Sequence, residues 1–304
     1  MNTPSLPLQT SAGTPERILQ RLDWQVIRRL DGQLQGDYRS LFYGYGVDFA
    51  DLREYQPEDD TRYIDWNVTA RMDTPYVRQY TEDREITAWF LLDLSPSMDF
   101  GTVGGMKRTV LVDLVATLAR LLTRHGNRVG AIFYGNKVER TIPAQGGRIQ
   151  VLRIINDLLR QPQLSRSPFT DLSPLIGAAL HGIKRRSLVF VVSDFISAPG
   201  WERSISLLNR RHEVLGVRVW DPREIELPDV GPVIMEDAET GERLYVDTHD
   251  RGFRKRFAEA ARQREFALAE TLKRAGVDTL SLSTEEDMVR ALVRFAALRE
   301  QHRR

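Results

Sequence analysis

Cysteine is absent from the 304 residues, which excludes disulfides, thiolate catalysis and cysteine-ligated zinc or iron–sulfur sites, and suits a reducing compartment. A dominant charge sign is absent as well: 43 Lys and Arg stand against 42 Asp and Glu, a formal net charge of +1. No general attraction to nucleic acid or anionic lipid follows from such a balance. Long hydrophobic runs are also missing, and no stretch reaches the ~18 apolar residues of a membrane span. Met1 to Gly13 is polar, carries prolines and lacks a basic region followed by an apolar core, so no signal peptide is read there. A cytoplasmic protein is therefore expected. The five histidines, His125, His181, His212, His249 and His302, lie far apart without metal-ligand spacing and read as surface or packing residues. Gly101, Gly104 and Gly105 are followed by no Gly-Lys-Ser/Thr, so a nucleotide-phosphate loop is not expected.

What is present is alternation. After a lead over 1–13, expected to be disordered, Ile18, Leu19, Leu22, Val26, Ile27 and Leu30 recur at helical spacing over Glu16 to Leu34. Further helices are expected at Lys107–Thr123, Ile149–Leu159, Leu172–Ile183, Trp201–Arg211, Arg251–Ala275 and Glu285–Leu298, the last capped by Thr284. Strands are expected at Ile86–Leu92, Arg128–Tyr134, Val138–Ile142, Ser187–Asp194, Val214–Val219 and Thr279–Leu282. Strands alternating with helices predict α/β architecture with a doubly wound, mainly parallel sheet. One interruption falls near 222–248, where Val233–Met235 and Leu244–Val246 flank Glu239-Thr240-Gly241-Glu242, a hairpin signature.

The most informative stretch is Asp93-Leu94-Ser95-Pro96-Ser97, which closes the apolar run Ile86–Leu92 with a carboxylate and two hydroxyls at alternate positions. Such a run suits a central strand buried on both faces, and ligand crevices lie outside the carboxyl ends of such strands. A second buried strand ends at Asp194, and between the two the loop Ser167-Pro168-Phe169-Thr170-Asp171 leads into a helix. Each part also has a plain explanation. Asp and Ser are ordinary strand-end turn formers, and Thr170 or Asp171 suits a helix cap. As a set, Asp-x-Ser-x-Ser, a loop threonine and a strand-end aspartate resemble the metal-ion-dependent adhesion site of von Willebrand factor A domains. That resemblance implies Ser95, Ser97 and Thr170 as direct ligands of Mg²⁺, or of Mn²⁺, with Asp93 and Asp194 acting through bound waters. A partner's Asp or Glu would then complete the metal shell.

A second resemblance precedes the strand. Gly44-Tyr45-Gly46-Val47-Asp48-Phe49-Ala50-Asp51-Leu52-Arg53-Glu54-Tyr55 runs into Pro57-Glu58-Asp59-Asp60-Thr61-Arg62-Tyr63-Ile64-Asp65-Trp66, then Thr69-Ala70-Arg71 and Tyr76-Val77-Arg78. This is similar to the signature of the bacterial domain-of-unknown-function 58 family, whose members join such a segment to a von Willebrand A-like domain. By composition, Arg53, Arg62, Arg71 and Arg78 can pair with Asp51, Glu54, Asp59, Asp60 and Asp65, while Tyr55, Tyr63, Trp66 and Tyr76 supply apolar area. A charge-networked cap or a partner-docking surface both suit that mixture. The combined expectation is a von Willebrand A or Rossmann-like α/β domain over 86–304, with an N-terminal helical and charge-networked extension over 14–85. The family resemblance implies a MoxR-type AAA+ ATPase as partner, with this chain as its adaptor or co-chaperone. The alternative is a metal-dependent, phosphatase-like hydrolase using Asp93. Against it, position 95 holds Ser where an aspartyl phosphatase places its general acid, and no base stands beside Ser95 or Ser97. A non-enzymatic role is expected.

Overall fold

Runs such as Trp89-Phe90-Leu91-Leu92 and Val189-Phe190-Val191-Val192 are apolar at every position, and a strand can bury both faces only between two layers of helices. The computed structural model, which describes residues 14–33, 52–57, 59, 61, 64–72, 74–78, 86–102, 104–164 and 170–303, has this arrangement. The expected lead over 1–13, the glycine-bearing start of the signature at 44–51 and the loop residues 165–169 lie outside the described residues.

The chain divides into two units, one spanning 42–85 and the other formed by 1–41 with 86–304. In the smaller, β1 (Leu52–Glu54) pairs antiparallel with β2 (Tyr76–Arg78), and the helix Trp66–Met72 connects them. Two of its carboxylates cap local backbone: Asp59 accepts from the Gln56 N–H at 2.9 Å and Asp65 from the Val68 N–H at 3.3 Å. Trp66, expected to contribute buried area, is the first residue of that helix and is 68% exposed.

The larger unit is built on a six-stranded sheet in the order β10-β7-β6-β3-β4-β5. Its members are β3 (Thr87–Asp93), β4 (Arg128–Tyr134), β5 (Val138–Gln145), β6 (Leu188–Ser193), β7 (Glu213–Trp220) and β10 (Asp278–Ser283). All pairings are parallel except β4 with β5. The chain leaves β3 towards β4 and β5, then returns to lay β6, β7 and β10 on the opposite side. The reversal of direction puts the topological switch point, outside which ligands bind in open α/β sheets, at the carboxyl ends of β3 and β6.

Strand pleating sends Leu91, Ile132, Val189 and Val191 to one face, where they pack with Leu175, Ile176 and Ala179 of the helix Ser173–Gly182 and Ile205 and Leu208 of the helix Trp201–Arg211. Phe90 and Phe190 stack with centroids 5.1 Å apart. The helix Lys107–Arg124, buried at Leu111, Leu114, Val115 and Leu118, packs against β4 and β7. The hairpin lies outside this sheet as β8 (Pro232–Glu236) paired antiparallel with β9 (Arg243–Asp247).

Two expectations change. The sequence groups the N-terminal helix with the signature segment, whereas the structure packs Pro15–Gln33, which contains a π turn at Asp23–Ile27, within the larger unit. Its stripe of Leu19, Leu22, Ile27 and Leu30 is buried, and Arg21–Asp113 and Arg29–Asp287 ion pairs at 2.5 and 2.8 Å flank it. The last helix begins at Met288 rather than Glu285. Asp287 accepts from the Arg290 N–H at 3.1 Å and acts as its cap, while the Thr284 hydroxyl turns inward to donate to Asp221 at 3.0 Å.

Candidate metal centre

At the carboxyl end of β3 the backbone turns through Leu94 and Ser95 into a 3₁₀ turn at Pro96–Asp99, with Pro96 fixing its first position. The turn folds the short polar side chains back over the strand end. Asp93 accepts from the Ser95 N–H at 3.0 Å through Oδ1 and from the Ser193 hydroxyl at 2.6 Å through Oδ2. Ser95 Oγ and Ser97 Oγ lie 3.1 Å apart. Asp93, Ser95, Ser97, Thr170 and Asp194 are all buried, so the five residues singled out by sequence sit in the interior at the strand ends.

Thr170 does not cap the following helix. Asp171 accepts from the Ser173 N–H at 2.8 Å and takes that task, leaving the Thr170 hydroxyl to donate to Glu239 Oε1 at 2.8 Å. The Ser97 N–H donates to the same oxygen at 3.3 Å. Asp194 is engaged at both oxygens, accepting from the Ile196 N–H at 2.9 Å and from the Lys107 ammonium at 2.7 Å. Lys107 also reaches Glu224 Oε1 at 2.5 Å.

Four functional candidates were therefore missed by sequence reasoning: Lys107, Ser193, Glu224 and Glu239. Only Ser193 carried a signal, since it lies beside Asp194 at the end of a buried strand. Glu239 is 142 residues from Ser97 and Glu224 is 117 from Lys107, so no local pattern marks either.

The electrostatics are those of crowded, buried anions. Burial, reinforced by the charge of Asp194, pushes Asp93 up to about 6 despite the hydrogen bonds from Ser193 and Ser95. Burial likewise raises Glu239, with Thr170 and Ser97 opposing and Asp194 adding repulsion. For Lys107, burial disfavours the ammonium, but Asp194 and Glu224 together outweigh it and hold the group above its ordinary value. The lysine is a fixed internal cation on one side of the cluster.

Among the described residues, no group of three or more His, Cys, Asp or Glu assembles to hold a metal. The donors gathered here are hydroxyls with carboxylates behind them. Cis ligands of an octahedral Mg²⁺, each at about 2.1 Å, stand about 3 Å apart, and the two serine oxygens match that edge. A carboxylate oxygen of Glu239, Oε2, is buried with no hydrogen-bond partner among the described residues, as an acceptor awaiting a cation would be. The hydroxyls of Ser95, Ser97 and Thr170, with the carboxylates of Asp93 and Asp194 behind them, are a donor set that suits a small hard cation.

Similarity to known proteins bears on identity. An uncharacterized protein of Mycobacterium tuberculosis is 38% identical over 283 residues, 93% of this chain and 89% of that relative. Among solved structures, the conserved hypothetical protein BatB from Bacteroides thetaiotaomicron aligns at TM-score 0.42 and 14% identity, over 71% of this chain and 99% of that one. An aerotolerance-related membrane protein from Bacteroides fragilis aligns at 0.41 and 14%, over the same shares. The cytoplasmic location expected from the sequence is not upheld: the Bacteroides fragilis neighbour is titled a membrane protein, a description that is its own. In this chain no described helix is long and apolar enough to cross a membrane. The family described as "Protein of unknown function DUF58" matches residues 51–267, and with that match and the mycobacterial relative, the chain belongs to the DUF58 family.

Proposed function

We propose that this protein is a metal-dependent protein-interaction module of the von Willebrand A type, in which a divalent cation at the β3 and β6 strand ends bridges to a partner's carboxylate. Ser95, Ser97 and Thr170 hold the ion, and Asp93 and Asp194 orient the serines and the waters around it. Because the direct protein ligands are neutral hydroxyls, the cation, Mg²⁺ or Mn²⁺, keeps its appetite for an anionic oxygen from outside. The observation that carries this is the 3.1 Å approach of Ser95 Oγ to Ser97 Oγ directly above the buried Asp93. The partner proposed from the family resemblance is a MoxR-type AAA+ ATPase, with this chain as its adaptor or co-chaperone.

Each residue has a defined task. Ser193 holds Asp93 Oδ2 at 2.6 Å, which fixes the carboxylate plane and leaves Oδ1 on the Ser95 N–H. Lys107 anchors Asp194 and limits the net negative charge that a cation would meet, favouring exchange of the sixth ligand over a closed, permanently saturated site. Hydrolysis is disfavoured: the Ser95 and Ser97 hydroxyls bond to each other and to the carboxylates of Asp93 and Glu239 rather than to a histidine, and Lys107 is committed to two carboxylates rather than free for a phosphate.

The test is binding of the purified protein to the cognate MoxR-type ATPase by biolayer interferometry, with Mg²⁺ and then with EDTA. Binding that is lost in EDTA and lost on Asp93→Ala is expected. Binding indifferent to both would sink the metal bridge.

A further inference from the structure

Resting on the metal reading above, we propose that Glu239 is a tethered ligand of the same site: the hairpin β8–β9 carries the chain's own carboxylate into the position assigned to the partner. The external ligand is then a glutamate-bearing turn that displaces this one.

A glutamate at a hairpin turn has every reason to point to water. Glu236, Asp237, Thr240 and Glu242, its neighbours on the same turn, are exposed, yet Glu239 retains only 9% of its surface. The hairpin strands supply only partial apolar anchorage: Ile234, Leu244 and Tyr245 are 53%, 59% and 80% exposed, while Val233, Met235 and Val246 are half-buried. What holds the turn down is polar and specific, namely the Thr170 hydroxyl and the Ser97 N–H on Oε1. Those two residues are also two of the three proposed metal ligands.

The turn is shaped for presentation. Asp237 Oδ1 accepts from the N–H groups of Glu239 and Thr240 at 3.0 and 2.7 Å and from the Thr240 hydroxyl at 2.9 Å. Gly241, at φ +72°, closes the loop, and its N–H reaches the Asp237 carbonyl at 2.8 Å. A pre-ordered turn loses little entropy when it delivers a side chain.

The second carboxylate oxygen is the strongest sign. Glu239 Oε2 is buried against the site without a partner among the described residues, and an ionised acceptor in that state is costly unless a cation is near. Its sister oxygen stands 2.8 Å from Thr170 Oγ1, close to the edge of about 3 Å between cis ligands of Mg²⁺.

Mn²⁺ titration by calorimetry, followed by addition of a capped synthetic heptapeptide with the sequence of Glu236 to Glu242, separates the outcomes. Wild type should bind Mn²⁺ and ignore the peptide. Glu239→Gln should bind Mn²⁺ at least about tenfold more weakly, and under saturating Mn²⁺ should capture the peptide. Glu239→Asp, which keeps the charge but retracts it by one methylene, should show the same pattern, and Glu242→Gln should match wild type. Equal Mn²⁺ affinity in wild type and both Glu239 variants, with no peptide uptake and with binding still abolished by Asp93→Ala, overturns the tethered ligand and leaves the metal site standing. No Mn²⁺ binding by wild type overturns both.

Discussion

Replacing Lys107 with methionine removes a cation from the interior while keeping most of its volume. The ammonium and Asp194 have no exposed side-chain surface, and Glu224 retains 12%. The substitution takes the cation from two carboxylates: among the described residues, Asp194 keeps the Ile196 N–H as a donor while facing Asp93, and Glu224 keeps the Asp221 N–H. Removing one partner of a buried ion pair costs about 3–5 kcal/mol, because the remaining charge is left uncompensated in a poorly polarisable interior. Against a whole-domain stability of about 5–15 kcal/mol, the variant should be folded but weakened, with a melting point roughly 10 °C lower. Urea unfolding followed by circular dichroism measures the loss. Adding Asp194→Asn should recover part of it, since the stranded charge is gone, and millimolar Mg²⁺ should stabilise Lys107→Met more than wild type because a divalent cation supplies the missing charge. A loss below about 1 kcal/mol, the range of exposed pairs, would refute the assignment of Lys107 as a buried counter-ion.

Other consequences concern packing and pH. Leu30 is fully buried where the N-terminal helix meets the larger unit, so Leu30→Ala should cost about 2–5 kcal/mol in urea unfolding; a loss under about 1 kcal/mol would contradict the packing of that helix. His212, 4% exposed, is held below its ordinary value of 6.5 by burial and by the charges of Arg211 and Arg186. A base with a depressed folded value contributes stability that is complete above 6.5 and is lost as pH falls through that folded value. Urea midpoints measured between about pH 7.5 and 5.5 should therefore fall, and fall less in His212→Gln; identical profiles in the two proteins would contradict this.

The centre of the sheet was legible because β3 and β6 are continuous apolar runs and β4 and β7 nearly so, a pattern that burial on both faces demands. Arg128–Tyr134 and Trp201–Arg211 appear with the bounds expected of them. The cradle at Asp93, Ser95 and Ser97 was legible too, since all its parts lie within five residues. Thr170 and Asp194 came from the resemblance rather than from spacing. What was not legible is whatever the fold brings from afar. Lys107 reads as the first residue of an amphipathic helix, and only the proximity of β6 to that helix start places Asp194 beside it. Glu239 reads as a turn residue, and nothing in the hairpin signature says that the turn faces inward. The capping role moved from Thr284 to Asp287 because Asp221, buried and already accepting from Thr102 at 2.6 Å, recruits the threonine hydroxyl. Short-range propensity lost there to a long-range hydrogen bond.

The most direct test of the metal centre is calorimetric titration of Mn²⁺ and Mg²⁺ into wild type, Asp93→Ala and the double variant Ser95→Ala with Ser97→Ala, each first checked for a cooperative unfolding transition. One equivalent of metal bound by wild type and by neither variant is the expected result. Equal binding in all three, or none in wild type, would reduce Asp93, Ser95 and Ser97 to a hydrogen-bonded strand-end turn and contradict the proposed function.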